Sequence, residues 1–140
     1  NKKFVDFVNV DISPKVKPDL IHDLNKFPYP FDDNSADYIY ANEIIEHLKY
    51  PEKFLIEIKR ILKQDGEFFI KTPCYPYKYI YDIIFDHRFS RWENEHVSKF
   101  TYSRFKNLIL KHFPQSMILC HGKFLPRKVI AYNPPISRLK

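Results

Sequence analysis

Two aspartates lie where a carboxylate can meet a ligand. Asp11 closes the apolar run Phe4–Ile12, and Asp23 comes at the end of the shorter run Asp19–Leu24. Both runs have the composition of strands and are followed by turn-forming residues. In sheets that alternate with helices, ligands bind outside the carboxyl ends of the strands. The pattern therefore predicts that both carboxylates face a ligand, although an aspartate after a strand also commonly forms a turn.

Two further strand ends belong to the same set. The expected strand Asp37–Ala41 runs directly into Asn42 and Glu43, and the expected strand Glu67–Thr72 is stopped by Pro73. Parallel strands place their carboxyl ends at one edge of a sheet. We therefore expect four strand ends to converge on one crevice.

His47 and His96 are the candidates for proton transfer, because imidazole titrates near neutral pH. We take His96 as the first candidate for a general base and His47 as the second. A structural role, with the imidazole bonded to the backbone, stays open for both. His87 and His96 together with Glu93 and Glu95 match no standard metal-ligand spacing, so we expect no metal site.

Two amphipathic helices must support these strand ends. The first begins at Pro51, and its apolar residues recur on one face. We expect it to end at Gln64–Gly66, with Gly66 in a left-handed C-terminal cap. Thr101 is expected to cap the second helix, Tyr102–His112.

The rest of the chain predicts an antiparallel end and an aromatic insertion. The strands Ser116–His121 and Arg127–Tyr132 fit an antiparallel pair, and the tail Asn133–Lys140 is expected to be loose. The segment Cys74–Glu95 is rich in aromatic residues and is expected to form a partly helical insertion or lid. Its Tyr75, Tyr77 and Trp92 either line an acceptor pocket or pack as core.

Composition limits the classes of function. The 140 residues suit one domain, and the net charge of +6 is scattered rather than gathered into a stripe, so nucleic acid is an unlikely partner. With only Gly66 and Gly122, the chain holds no glycine-rich phosphate loop. Cys74 and Cys120 lack a CxxC spacing and fit reduced thiols of a cytoplasmic protein. No apolar run is long enough to predict a membrane span.

Five segments resemble a known family in their order and spacing: VNVDIS, HDL, FPYPFDDNSADYIYANEIIEHL, PEKFLIEIKRILKQDGEFFIKTP and EHVSKFTYSRFKNLI. They resemble the class I S-adenosylmethionine-dependent methyltransferases of the small-molecule type. The resemblance covers nearly the whole chain and is most specific over Asn9–Pro73. It implies an α/β fold with a Rossmann-like, mostly parallel sheet and an antiparallel C-terminal strand pair. It also implies methyl transfer to a small-molecule acceptor.

The resemblance implies a set of positions that bind S-adenosylmethionine. They are Asp11, Ile12, Asp23, Leu24, Ala41, Asn42 and Glu43. In the family, the acid matching Asp11 accepts hydrogen bonds from the ribose hydroxyls, and the position matching Asp23 faces the adenine amine. The segment Ala41–Glu43 matches the part that passes the methionine portion. Glu46–Leu48 matches an EHL element whose role varies in the family.

One departure from the family pattern leaves two classes of function open. The first strand and its glycine-rich turn have no counterpart in the chain, and the resemblance begins just after them. We expect that the missing strand belongs to an upstream segment outside this sequence. Two alternatives are a truncation and a repacked protein that has lost the cofactor. The chain is accordingly either a methyltransferase or a non-catalytic methyltransferase-like scaffold or partner-binding module. An RNA-directed enzyme is a third, weaker hypothesis, and the sequence specifies neither the acceptor nor the oligomeric state.

Overall fold

The computed structural model describes residues 7–81, 84, 96–122 and 128–135. The chain divides into two compact units, Asn1–Pro30 and Phe31–Lys140. None of the helices in the described ranges has the length and apolar character that a membrane span requires.

The first unit contains a short parallel pair of strands. Strand β1 is Val10–Asp11 and strand β2 is Leu20–Ile21, with a 3-10 helix at Pro14–Val16 between them. The strands expected over Phe4–Ile12 and Asp19–Leu24 are therefore much shorter within the described residues. Before β1, the carboxylate of Asp19 accepts a hydrogen bond of 2.7 Å from the backbone N–H of Asn9, whose carbonyl accepts one of 3.1 Å from the N–H of Leu20. A side chain thus takes the place of a ladder partner at this end of the pair.

The second unit is built on a four-stranded mixed sheet. Its strands are β3 (Ala36–Asn42), β4 (Leu62–Pro73), β5 (Met117–His121) and β6 (Lys128–Asn133). Their order in the sheet is β3-β4-β6-β5, with β3 and β4 parallel and the other two pairs antiparallel. The predicted α/β sheet with parallel strands and an antiparallel C-terminal pair is confirmed.

In the part of the chain that the structure describes, three α-helices accompany this sheet: α1 (Pro51–Ile61), α2 (Tyr77–Tyr81) and α3 (Tyr102–His112). Helix α1 begins at Pro51 as predicted, and Thr101 caps α3 by accepting a hydrogen bond of 3.2 Å from the N–H of Arg104. Helix α2 lies in the expected aromatic insertion. Most of residues 82–95, including Trp92, His87, Glu93 and Glu95, lie outside the described residues, as do residues 136–140 of the expected tail.

Aromatic side chains fill the core beneath the sheet. Phe68 of β4 packs edge-to-face on Phe113, which follows α3, with 4.6 Å between ring centroids. Phe100 and Phe105 make a similar contact at 5.7 Å, and all four rings are buried. Helix α3 is therefore held to β4 by ring packing, which fixes the face of β4 that points inward.

Gly66 does not form the predicted helix cap. Helix α1 ends at Ile61, and Leu62 already has the extended conformation that begins β4. Gly66 lies inside β4 within an irregularity of the ladder, since Ala36 pairs with Leu62 but Tyr38 pairs with Glu67. A Cβ atom at Gly66 would lie 2.7 Å from the Cγ of Leu62. Glycine at this position therefore allows close packing against Leu62 and does not form a left-handed turn.

We predict that Gly66→Ala lowers the free energy of unfolding by about 1–3 kcal/mol, because the added methyl group must displace the buried Leu62. Urea unfolding followed by circular dichroism measures this loss. In a Leu62→Ala background the two colliding Leu62 atoms are gone and only the carbonyl oxygen of Lys63, at 3.0 Å, stays close, so the same substitution should cost clearly less. An equal loss in both backgrounds would contradict the packing explanation.

Candidate functional site

The carboxyl ends of β3 and β4 lie at the same edge of the four-stranded sheet. The two strands are parallel, Asn42 is in register with Lys71, and the N–H of Glu43 donates to the carbonyl of Lys71 at 2.8 Å. Strand β6 runs antiparallel to β4, and Pro73 is in register with Lys128. The start of β6 therefore lies at the same edge as the ends of β3 and β4. The two strand ends were predicted at this edge, whereas the start of β6 was not.

Glu43 forms the turn that leaves β3. Its φ of 56° lies in the left-handed region, which costs a non-glycine residue about 1–2 kcal/mol. Its carboxylate accepts a short hydrogen bond from the ammonium group of Lys128, while its Oε1 is buried without a hydrogen-bond partner among the described residues. The turn leads the chain into the 3-10 helix Ile45–His47.

Glu46 is a completely buried carboxylate. Its Oε2 accepts a hydrogen bond of 2.9 Å from the hydroxyl of Thr72, and its Oε1 has no hydrogen-bond partner among the described residues. Burial raises the pKa of Glu46, and the charge of Glu43 acts in the same direction, whereas the bond from Thr72 opposes it. The fold therefore holds an acidic group where ionisation is unfavourable without a further partner.

His96 lies beside His47 and Tyr75. Its Nδ1 is 2.7 Å from the hydroxyl of Tyr75, and its ring meets that of His47 edge-on at 4.9 Å between centroids. Burial lowers the pKa of His96, and His47 and Lys78 add to the effect. The imidazole is therefore biased toward its neutral form, in which one nitrogen has a lone pair.

The segment that carries His96 is held in place by two hydrogen bonds of Ser98. Its N–H donates to the carbonyl of Glu46 at 2.8 Å, and its hydroxyl donates to the carbonyl of Leu48 at 2.9 Å. On the other side, the N–H of Tyr75 donates to the carbonyl of Phe100 at 2.8 Å. The role of Ser98 was not predicted, because a single serine in a polar segment has no distinguishing spacing.

These contacts bring both predicted histidines together with Glu46. One carboxylate oxygen of Glu46 and one ring nitrogen each of His47 and His96 lie within 4.8 Å of one another. The cluster offers a proton acceptor and a set of lone pairs in one place. Spacing along the chain gave no signal for it, because hydrogen bonds between distant segments assemble the group.

In the first unit, Asp11 is the last residue of β1 and Asp23 comes shortly after β2, at the carboxyl ends where they were predicted. Oδ1 of Asp11 accepts a hydrogen bond of 2.7 Å from the N–H of Ser13, and Oδ1 of Asp23 accepts one of 2.9 Å from the N–H of Asn25. Each aspartate thus forms a local turn with one oxygen, and the other oxygen has no hydrogen-bond partner among the described residues. The side chain of Ile12 is exposed beside Asp11. That these positions meet Ala41, Asn42 and Glu43 in one crevice stays a prediction.

Comparison with known families gives one match in sequence. The family described as a methyltransferase domain matches residues 2–70. This range includes every predicted cofactor position and the Glu46–Leu48 element. No curated protein is significantly similar to the chain.

Several solved structures with a similar fold are described as SAM-dependent methyltransferases. A SAM-dependent methyltransferase from Archaeoglobus fulgidus has a TM-score of 0.70 at 13% identity, over 89% of this chain and 74% of the other. One from Aquifex aeolicus has a TM-score of 0.56 at 18% identity, over 91% and 67%. A chain of the complex between the Haloferax volcanii Trm112 methyltransferase activator and a methyltransferase has a TM-score of 0.61 at 15% identity, over 90% and 70%. At these identities the likeness is one of fold.

We predict that Ser98→Ala lowers the free energy of unfolding by about 1 kcal/mol, because the buried carbonyl of Leu48 loses its hydroxyl donor. It should also loosen His96, which broadens or shifts the imidazole resonance of this residue in NMR spectra. Ser103→Ala, on an exposed position of α3, is the matched control and should change neither quantity. Identical stability and histidine spectra in the two variants would contradict the role of Ser98 in positioning His96.

Proposed function

Since this chain belongs, through residues 2–70, to the methyltransferase domain family, we propose that it transfers a methyl group from S-adenosylmethionine to a small-molecule acceptor. The family match carries the proposal, and the fold shared with SAM-dependent methyltransferases supports it. The positive charge of the chain is scattered, which favours a small acceptor over a nucleic acid.

The residues proposed to hold the cofactor fit a nucleoside. Oδ2 of Asp11 has no partner among the described residues, so it can accept hydrogen bonds from ribose hydroxyls while Oδ1 keeps the turn to Ser13. Ile12, which is 63% exposed, offers an apolar surface next to this carboxylate. Asp23 and the half-buried Leu24 repeat the arrangement of a carboxylate beside an apolar side chain, here for the adenine amine and ring.

The end of β3 is proposed to serve the methionine portion of the cofactor. Ala41 is buried at the end of this strand, whereas the side chain of Asn42 is exposed and can donate or accept hydrogen bonds. Glu43 carries a carboxylate that can attract an amino group, although it already bonds Lys128. These assignments follow from the family resemblance.

Bound S-adenosylmethionine supplies an electrophilic methyl group on a sulfonium, so the protein mainly has to align the acceptor with it. His96 is proposed to accept the proton of an acceptor hydroxyl, amine or carbon acid. Its lowered pKa favours the neutral form that a base needs, and the hydroxyl of Tyr75 orients its ring. His47, in edge contact with His96, is the second candidate for this role.

Two further expectations complete the proposal. Cys74 and Cys120 are free, in agreement with a cytoplasmic location. The complex of the Haloferax volcanii protein with an activator suggests that a protein partner is worth testing for this chain as well.

Titration calorimetry with S-adenosylhomocysteine tests the proposal on the full-length protein. We predict binding, and a dissociation constant roughly 10- to 100-fold higher for Asp11→Ala, because hydrogen bonds to a charged group contribute about 1.5–3 kcal/mol. Asp65→Ala, at an exposed position of β4, is the control and should bind like the parent protein.

No binding by the parent protein, or equal binding by the Asp11 variant, would contradict the proposal. The first outcome would favour the non-catalytic scaffold or partner-binding module. The second would remove the assignment of Asp11 to the ribose.

A further inference from the structure

We propose that Glu46, His47 and His96 bind a divalent transition-metal ion at the edge of the sheet where β3 and β4 end. Nothing in the family match or the similar folds assigns a metal to this group, and the sequence analysis expected none. The inference stands apart from the proposed methyl transfer, because metal binding can be measured without cofactor or acceptor.

The geometry of the three side chains fits a metal centre. Their ligand atoms lie within 4.8 Å of one another. Bonds of about 2.0–2.2 Å would bring two ligands of a tetrahedral ion to roughly 3.4 Å apart. Side-chain movements of about 1 Å would shorten the separation of the ligand atoms from 4.8 Å to this value. Rotations of this size leave the backbone in place.

The buried carboxylate is a second and independent observation. Glu46 is 0% exposed, and its Oε1 has no hydrogen-bond partner among the described residues. Lys128 pairs with Glu43, whereas no lysine or arginine of the described ranges forms an ion pair with Glu46. A buried charge is costly unless it is paired or coordinates a metal. A cation between Glu46 and the two histidines would satisfy this oxygen.

Neighbouring side chains hold the ligands as they are held in metal sites. The hydroxyl of Thr72 donates to Oε2 of Glu46, which leaves Oε1 for the ion. The hydroxyl oxygen of Tyr75 can accept a hydrogen bond from Nδ1–H of His96, and in that tautomer Nε2 has a lone pair. Two imidazoles and one carboxylate are ligands that Zn²⁺, Mn²⁺, Fe²⁺ and Co²⁺ share.

Three protein ligands leave coordination positions open, as in catalytic metal sites. His47 and His96 are only partly buried, so an oxygen ligand from solvent or from an acceptor can reach the ion. A histidine nitrogen that binds the ion cannot also act as a base. With metal bound, activation of an acceptor hydroxyl would therefore pass from His96 to the ion.

Cobalt(II) titration of the full-length protein, prepared without a histidine tag, tests the site through the visible absorption of the bound ion. We expect one ion per chain, displaced by zinc. We expect at least tenfold weaker binding for Glu46→Gln, His47→Gln and His96→Gln. His121→Gln, at an exposed position of β5, is the matched control and should bind cobalt like the parent protein.

A thermal unfolding curve of each variant without metal checks that it folds. If a histidine variant does not fold, the Glu46→Gln variant and the cobalt-dependent rise in the melting temperature of the parent protein decide the matter. Absence of cobalt binding by the parent protein would overturn the proposal, as would equal binding by Glu46→Gln and His121→Gln. Loss of S-adenosylhomocysteine binding alone would leave it standing, so the two proposals fail separately.

Discussion

The burial of the Glu46 carboxylate is the constraint on which the candidate site depends. A carboxylate without water needs hydrogen-bond donors or a cation, and the fold brings Thr72 to it from the neighbouring strand. Thr72 lies on the same face of β4 as the buried Phe68 and Ile70. A slip of one residue between β3 and β4 would turn Thr72 to the other face. The packing of the apolar core thus also positions the hydroxyl of Thr72 that bonds Glu46.

The mixed topology of the sheet explains the charges around this carboxylate. Parallel strands alone would bring only carboxyl ends to the edge where Glu43 turns away from β3. Because β6 runs antiparallel to β4, its first residue, Lys128, lies at that same edge and pairs with Glu43. The ion pair offsets part of the cost of the left-handed backbone at Glu43. Lys128 is thereby paired with Glu43, and no lysine or arginine among the described residues forms an ion pair with Glu46.

The sequence predicted local features better than contacts between distant segments. Helix α3 and its Thr101 cap follow from a periodic apolar face and a hydroxyl at its start, and both are seen. Gly66 was misread, because a glycine after a helix usually forms a cap, whereas here the decisive contact is with Leu62. The cluster of Glu46, His47 and His96 depends on two hydrogen bonds of Ser98 to the backbone at Glu46 and Leu48. Hydrogen bonds of this kind produce no periodic pattern in a single sequence.

The two aspartates of the first unit show why a turn and a ligand are not competing explanations. Each carboxylate has two oxygens, and in both Asp11 and Asp23 one of them accepts a backbone N–H two residues ahead. This bond fixes the rotation of the side chain and reduces the entropy that a ligand must remove on binding. A residue that formed no turn would present its second oxygen less precisely. The turn that explains each aspartate structurally would therefore also orient its second oxygen for the proposed ligand.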